Sequence, residues 1–187
     1  YINGSVEMAH GSGGRASSEL VNELFLPAFD NPILRELNDQ ATLSLPGKRI
    51  VMATDSHVVT PLFFPGGDIG SLAVYGTVND VAMSGATPLY LSAGFILEEG
   101  FSLAQLKNIV NSMAKAAQIC GITIVTGDTK VVERGHGDGC YINTTGIGSL
   151  ADDLNLSPSK IQNGDKILLS GSLGDHGTTI LAQRQHL

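Results

Sequence analysis

The sequence predicts an α/β fold, one sheet with helices on one face. Three observations lead there. Four short apolar runs are bounded by turn residues, two intervening segments carry apolar residues at helical spacing, and the 23 glycines cluster at turns rather than in repeats. The opening stretch, Tyr1 to Arg15, is polar and Gly-rich and is expected to be a mobile arm. Leu20, Val21, Leu24, Phe25 and Ala28 then mark a helix over Ser17–Phe29, closed by Pro27 and Pro32. Asn38 to Leu45 leads into a Pro46-Gly47 turn, and Arg49–Thr54 reads as a buried strand. Phe63 to Gly67 is a loop, and Asp68 or Ser71 caps a helix over Ser71–Ser84 that Gly85 ends.

Leu89–Leu97 is the second strand. Ser102 and Gln105 form a capping box for the clearest helix, whose apolar face is Leu103, Leu106, Val110, Met113, Ala114 and Ala117 and whose terminator is Gly121. Ile122–Thr126 and Tyr141–Ser149 are the remaining strands, separated by a polar loop over Glu133–Gly139. Residues 1–150 therefore form one domain. Residues 151–187 read as a linker and the truncated start of a second α/β domain, with a strand at Lys166–Ser170, a turn at Gly171–Gly177 and a helix from Thr178 that the chain leaves unfinished.

The net charge of −7 argues against nucleic acid and against an anionic membrane as partners. No apolar stretch reaches the roughly 20 residues of a membrane span, and no signal peptide opens the chain. Two cysteines without metal-type or redox-type spacing, Cys120 and Cys140, fit a soluble protein of a reducing compartment.

Three aspartates stand out. Asp55 and Asp128 each follow an apolar strand, and Asp80 lies within an apolar helix beside Asn79. A carboxylate in such a setting is costly unless paired or bound to a cation. Three of them from separate elements would suit Mg²⁺, which takes oxygen ligands and shares them with nucleotide phosphates. Each aspartate alone is more readily read as a cap or turn residue, except Asp80, which capping does not explain. Lys130 is placed to pair with a phosphate, or is a solvated surface lysine. The run His10-Gly11-Ser12-Gly13-Gly14 offers backbone N–H groups for phosphate oxygens, or is a flexible tail; Gly174-Asp175-His176-Gly177 is an anion loop or a plain tight turn.

Together these residues resemble the HypE family of hydrogenase maturation factors, within the aminoimidazole-ribotide-synthetase superfamily. The likeness runs through His-Gly-Ser-Gly-Gly at 10–14, Thr-Asp-Ser at 54–56, Pro-Leu-Phe-Phe-Pro-Gly-Gly-Asp-Ile-Gly at 61–70 and Gly-Thr-Val-Asn-Asp-Val-Ala at 76–82. It continues through Phe-Ile-Leu-Glu-Glu-Gly at 95–100, Thr-Gly-Asp-Thr-Lys-Val-Val at 126–132 and Ser-Gly-Ser-Leu-Gly-Asp-His-Gly at 170–177. The resemblance implies a mixed sheet that pairs with a second copy into a central β-barrel, with ATP beside it. It implies an ATP-dependent carbamoyl dehydratase that turns an S-carboxamide on a C-terminal cysteine into a thiocyanate, the source of cyanide for the iron of nickel–iron hydrogenase. It implies ATP and Mg²⁺ as cofactors, and a homodimer, the carbamoyltransferase maturation factor and the iron-scaffold maturation complex as partners, in the cytoplasm.

By position the resemblance makes Asp55, Asp80 and Asp128 the metal and nucleotide aspartates, Asn79 and Lys130 further polar site residues, and His10–Gly14 the arm over the phosphates; Asp175 is kept as a nucleotide-side residue. The chain is expected to be an N-terminal piece without the acceptor thiol, and inactive on its own. Two other readings stand beside this one: a non-catalytic nucleotide-binding docking module, and another enzyme of the superfamily such as thiamine-monophosphate kinase. Selenophosphate synthetase is disfavoured, because no Cys and no Lys precede Lys48.

Overall fold

A computed structural model describes residues 4–12, 14–37 and 49–185; the turn expected at Pro46-Gly47, the segment before it, and Gly13 lie outside these residues. The chain divides into two units, Tyr1–Leu156 and Ser157–Leu187.

In the first unit, a 3₁₀ turn at Met8–Gly11 precedes a helix in three parts: α1 (Arg15–Leu20), a π-helical turn (Val21–Phe25) and α2 (Leu26–Phe29). The Leu26 N–H reaches back five residues to the Val21 carbonyl. This wide turn makes room for the Pro27 ring, which in a regular α-helix presses on the carbonyl four residues before it. Strand β1 (Arg49–His57) is followed by a two-residue hairpin, β2 (Phe63–Phe64) and β3 (Gly67–Asp68), where a loop was expected. Helix α3 (Ile69–Ala82) starts two residues before its expected position because Asp68, not Ser71, is the cap. Asp68 Oδ1 accepts from the Ser71 N–H at 2.9 Å, and Ser71 Oγ accepts from the Asp68 N–H at 3.1 Å.

Then come β4 (Thr87–Glu98), α4 (Leu103–Cys120), β5 (Thr123–Val132) and β6 (Cys140–Leu150). Only half of the box expected on α4 forms: Ser102 Oγ accepts from the Gln105 N–H, while the Ser102 backbone is bridged to Ser5. Gly121 ends α4 at φ 68°, as a left-handed terminator should.

The four long strands form one mixed sheet in the order β1-β6-β4-β5, parallel only between β4 and β5. Helices α3 and α4 cover one face. Ile69, Val74, Leu106, Ile109 and Met113 from the helices meet Leu91, Phe95, Leu97 and Ile142 from the strands in a single core. Among the described residues of this unit, none covers the opposite face. Ile50 and Met52 on it are 59% and 69% exposed, and Ile96 joins them.

The described part of the expected arm, residues 4–12, makes contacts with the domain. Val6 is 1% exposed, its N–H donates to the Phe101 carbonyl, and its own carbonyl accepts from the Gly100 N–H. Among the described residues Val6 is the arm's buried apolar anchor, and the turn before α4 takes both it and its backbone groups.

In the second unit, α5 (Asp175–Gln185) begins three residues before the expected Thr178. The strand expected at Lys166–Ser170 does not form. Among the described residues it has no partner to pair with, and Ile167 and Leu168 stand 96% and 92% exposed.

Candidate functional site

Sheet register fixes where the proposed site residues lie. Two rows of paired residues cross the four strands: Asp55–Thr144–Ala93–Gly127 and Ser56–Asn143–Gly94–Asp128. Paired residues share a face and successive residues alternate. The Asp55 row therefore faces the helices and the Asp128 row faces the open side. The two aspartates are also three inter-strand steps apart, roughly 14 Å, on opposite edge strands. They do not share one cation within a chain. Among the described residues no three His, Cys, Asp or Glu side chains come together as a metal cluster.

Nor do these carboxylates sit in apolar surroundings, since the Asp55 and Asp128 side chains are 44% and 67% exposed. Both Asp55 and Asp128 lie inside strands rather than after them, because ladder pairing continues past each. Asp80 is exposed, as is Asn79. The α3 positions that are buried are Ile69, Gly70, Ala73, Val74, Thr77 and Val81, which leaves 79 and 80 toward solvent. An apolar helix in sequence is here apolar on two faces, with Leu72, Tyr75 and Met83 exposed on the second.

Two local groupings result. On the β1 side, Asp55 Oδ1 accepts from the Ser56 N–H at 2.8 Å, and Asp55 Oδ2 lies 3.3 Å from Nε2 of His57. The His57 side chain is only 6% exposed. Its Nδ1 is buried with no hydrogen-bond partner among the described residues. An unpaired buried polar atom costs about 1–3 kcal/mol. Gly76 of α3 lies over this pair: a Cβ there would stand 3.0 Å from His57 Nε2 and 3.3 Å from Asp55 Oδ2. Asp80 follows Gly76 by one helical turn and so belongs to the same stripe of α3. His57 has no ligand-type spacing in sequence. The signal that finds it is strand alternation, which puts it two residues from Asp55 on the same face.

On the β5 side a cavity of about 310 Å³ opens between the arm, the α1–α2 segment and the strand. Its apolar wall includes Leu20, Phe25, Phe29, Phe95 and Ile124, and its polar part includes His10, Ser17, Asp128 and Lys130. Gly11 belongs to this wall and needs to be glycine: a Cβ would come 2.5 Å from the Val131 backbone nitrogen. Ser17 Oγ donates to the His10 carbonyl at 2.9 Å, tying the arm to α1. Lys130 Nζ stands 2.9 and 2.7 Å from the two Asp128 oxygens. The Lys130 hydrogen bond holds the Asp128 carboxyl below the usual carboxylate range, helped by the Thr129 N–H and opposed by partial burial. Ser12 donates to the Ala9 carbonyl, and Gly14 precedes α1. Asp175 is exposed at the start of α5, in the second unit.

Residues 37–150 match the model of the AIR synthase related protein family, N-terminal domain. The chain belongs to this family. Carbamoyl dehydratase HypE of Azotobacter vinelandii is 64% identical over 185 residues, covering 99% of this chain and 54% of that protein. A solved structure of hydrogenase maturation protein HypE in complex with ATP superposes with a TM-score of 0.92 at 60% identity, over 96% of this chain and 53% of that one. A HypE–HypF complex superposes with a TM-score of 0.72 at 52% identity, over 90% and 54%. The chain thus spans about half the length of the relatives it matches. Among the described residues of this family member no helix is long and apolar enough to cross a membrane.

Proposed function

We propose that this chain is the nucleotide-binding half of a carbamoyl dehydratase. The whole protein uses ATP to convert an S-carboxamide on a C-terminal cysteine into a thiocyanate, and so supplies cyanide to the iron of nickel–iron hydrogenase in the cytoplasm. The observation that carries the reading is the β5 cavity, which brings His10 and Gly11 of the arm against the β5 stretch 126–130 that carries Asp128 and Lys130. The ATP complex of a close structural relative supports the same ligand. An amide oxygen leaves poorly as water, and phosphorylation makes it a phosphate leaving group. The chain's part is to position the phosphates and offset their charge. Lys130 would pass from Asp128 to a phosphate oxygen, freeing that carboxylate for a cation. Asp55, Asn79 and Asp80 form the second polar group, on the α3 side. Carboxylate oxygens fit Mg²⁺, which takes one or two of them and completes its shell with phosphate and water.

The Asp80→Asn variant is expected to stay folded, since position 80 is exposed, and to lose the Mg²⁺-dependent part of its ATP affinity. Unchanged affinity by calorimetry, with and without Mg²⁺, defeats that role for Asp80.

We infer a homodimer through the sheet. The open face with Ile50, Met52 and Ile96, bounded by the edge strands β1 and β5, is the kind of surface that needs cover. It also gives the two separated groupings a way to meet across two chains. Sedimentation at micromolar concentration is expected to show a dimer, and a monomer alone counts against the assignment. The carbamoyltransferase that loads the thiol, and the iron scaffold that receives the cyanide, are the proposed partners; the HypE–HypF complex supports the first of these.

A further inference from the structure

The β1 grouping contains a side chain that the proposed nucleotide site does not use. His57 ends β1, its ring is almost wholly buried, and Nδ1 meets no partner among the described residues. A buried ring nitrogen without a partner is rare and calls for an explanation. Here Nε2 lies 3.3 Å from Asp55 Oδ2, and the α3 backbone at Gly76 closes over both. The other carboxylate oxygen is held by the Ser56 N–H. Asp55 thus accepts a hydrogen bond at one oxygen and has the His57 ring within ion-pair distance of the other, while its side chain keeps 44% of its surface open. A lone pair on each oxygen remains for a ligand.

We propose that His57 is the positioning residue for Asp55: the buried ring fixes the carboxylate beside Gly76, on the α3 stripe that carries Asp80, so that Asp55 meets a divalent cation in a single rotamer. This rests on the reading of Asp55 as a metal-side carboxylate. His57 touches no ligand in this scheme. It acts as the outer partner that orients a ligating group, a role whose loss typically weakens metal binding about 10–100-fold. The proposal requires the ring proton on Nε2, toward the carboxylate, with the buried Nδ1 as the acceptor. That arrangement leaves an unpaired lone pair inside the protein rather than an unpaired N–H.

The test uses Mn²⁺ as the probe, titrated by electron paramagnetic resonance into the whole chain with ATP present. His57→Phe keeps a ring of similar size and removes both nitrogens. It is expected to bind Mn²⁺ about tenfold more weakly while its metal-free melting temperature holds or rises. His57→Gln, which keeps a donor, is expected to recover most of the affinity. A purely packing role predicts the opposite pattern, with metal-free stability lost and Mn²⁺ affinity kept, and that result overturns the proposal. So does a Gln variant as weak as the Phe variant. Should the Phe variant not fold, nitrogen NMR of the unmodified chain decides: a protonated Nε2 supports the proposal, and a protonated Nδ1 overturns it. Asp55→Asn is the control. If that variant binds Mn²⁺ like the parent, the metal reading of Asp55 falls and this inference with it. If only His57→Phe is silent, the positioning role alone is wrong.

Discussion

In the folded chain Cys140 is expected to react with a thiol reagent about a thousandfold more slowly than in urea. The side chain is 1% exposed, on the helix-covered face of β6, and burial pushes its thiol from 9.0 up to about 12. At neutral pH that alone removes about three decades of thiolate, the reacting form. Cys120, at the end of α4 and only partly buried, is raised by burial in the same direction. Neither is a candidate carrier for a carbamoyl group. Incubation with the carbamoyltransferase, carbamoyl phosphate and ATP is expected to leave both thiols at their original mass. Equal labelling rates for Cys140 in folded and unfolded chain, or a mass gain on either cysteine, sinks this assignment. The shift also has a sign in stability. Between pH 9 and about 12 the unfolded thiol gives up its proton while the folded one keeps it, so the Cys140 contribution is present below pH 9 and is lost as pH rises through that window.

ATP affinity is expected to fall about a hundredfold in Lys130→Glu. Losing one charge-assisted hydrogen bond to a phosphate costs roughly 1.5–3 kcal/mol, and a carboxylate put in its place repels the phosphates and Asp128. Both side chains are largely exposed, so the exchange leaves the core alone and the melting temperature should move little. The Asp128 carboxyl should titrate at higher pH once its lysine partner is gone. Calorimetry and carboxylate NMR on the same sample check the two effects together. An unchanged ATP affinity removes Lys130 from the site.

Much of the fold is legible in local pattern. The α4 stripe and its Gly121 stop, the four apolar runs and the helix after Asp68 all follow from spacing and capping. Three features are not local. Strand order is set by which apolar faces meet, so nothing in Cys140–Leu150 says that it lies between β1 and β4. The docked arm depends on Val6 and Gly11 meeting Phe101 and Val131, residues distant in sequence. The exposure of Asp80 depends on which side of a two-faced apolar helix is packed, and composition cannot choose. For the site, sequence marks candidate residues, and the fold separates Asp55 from Asp128 within one chain. Asp55 and Asp128 look equivalent, each in Thr-x-Asp or Thr-Asp context near an apolar run, yet pairing sends them to opposite faces and edges. His57 is passed over for want of spacing to another ligand, although alternation alone places it beside Asp55.

The strand order also governs when the domain can assemble. Among the described residues β1 pairs only with β6, the last of the four to leave the ribosome, and β6 is also what joins β1 to β4. At roughly 5–20 residues per second, β1 waits on the order of ten seconds for its neighbour, with both edges and Ile50 and Met52 unprotected. Synthesis that halts before Cys140 leaves Asp55 and His57 without the β6 residues they pair with, Thr144 and Ile142. The β4–β5 pair with α4 between them can close early, as a local unit, so the β5 side of the site is built first and the β1 side is added to it. Chaperone demand during synthesis should therefore concentrate on Arg49–His57, the segment that emerges first among the strands and is secured last.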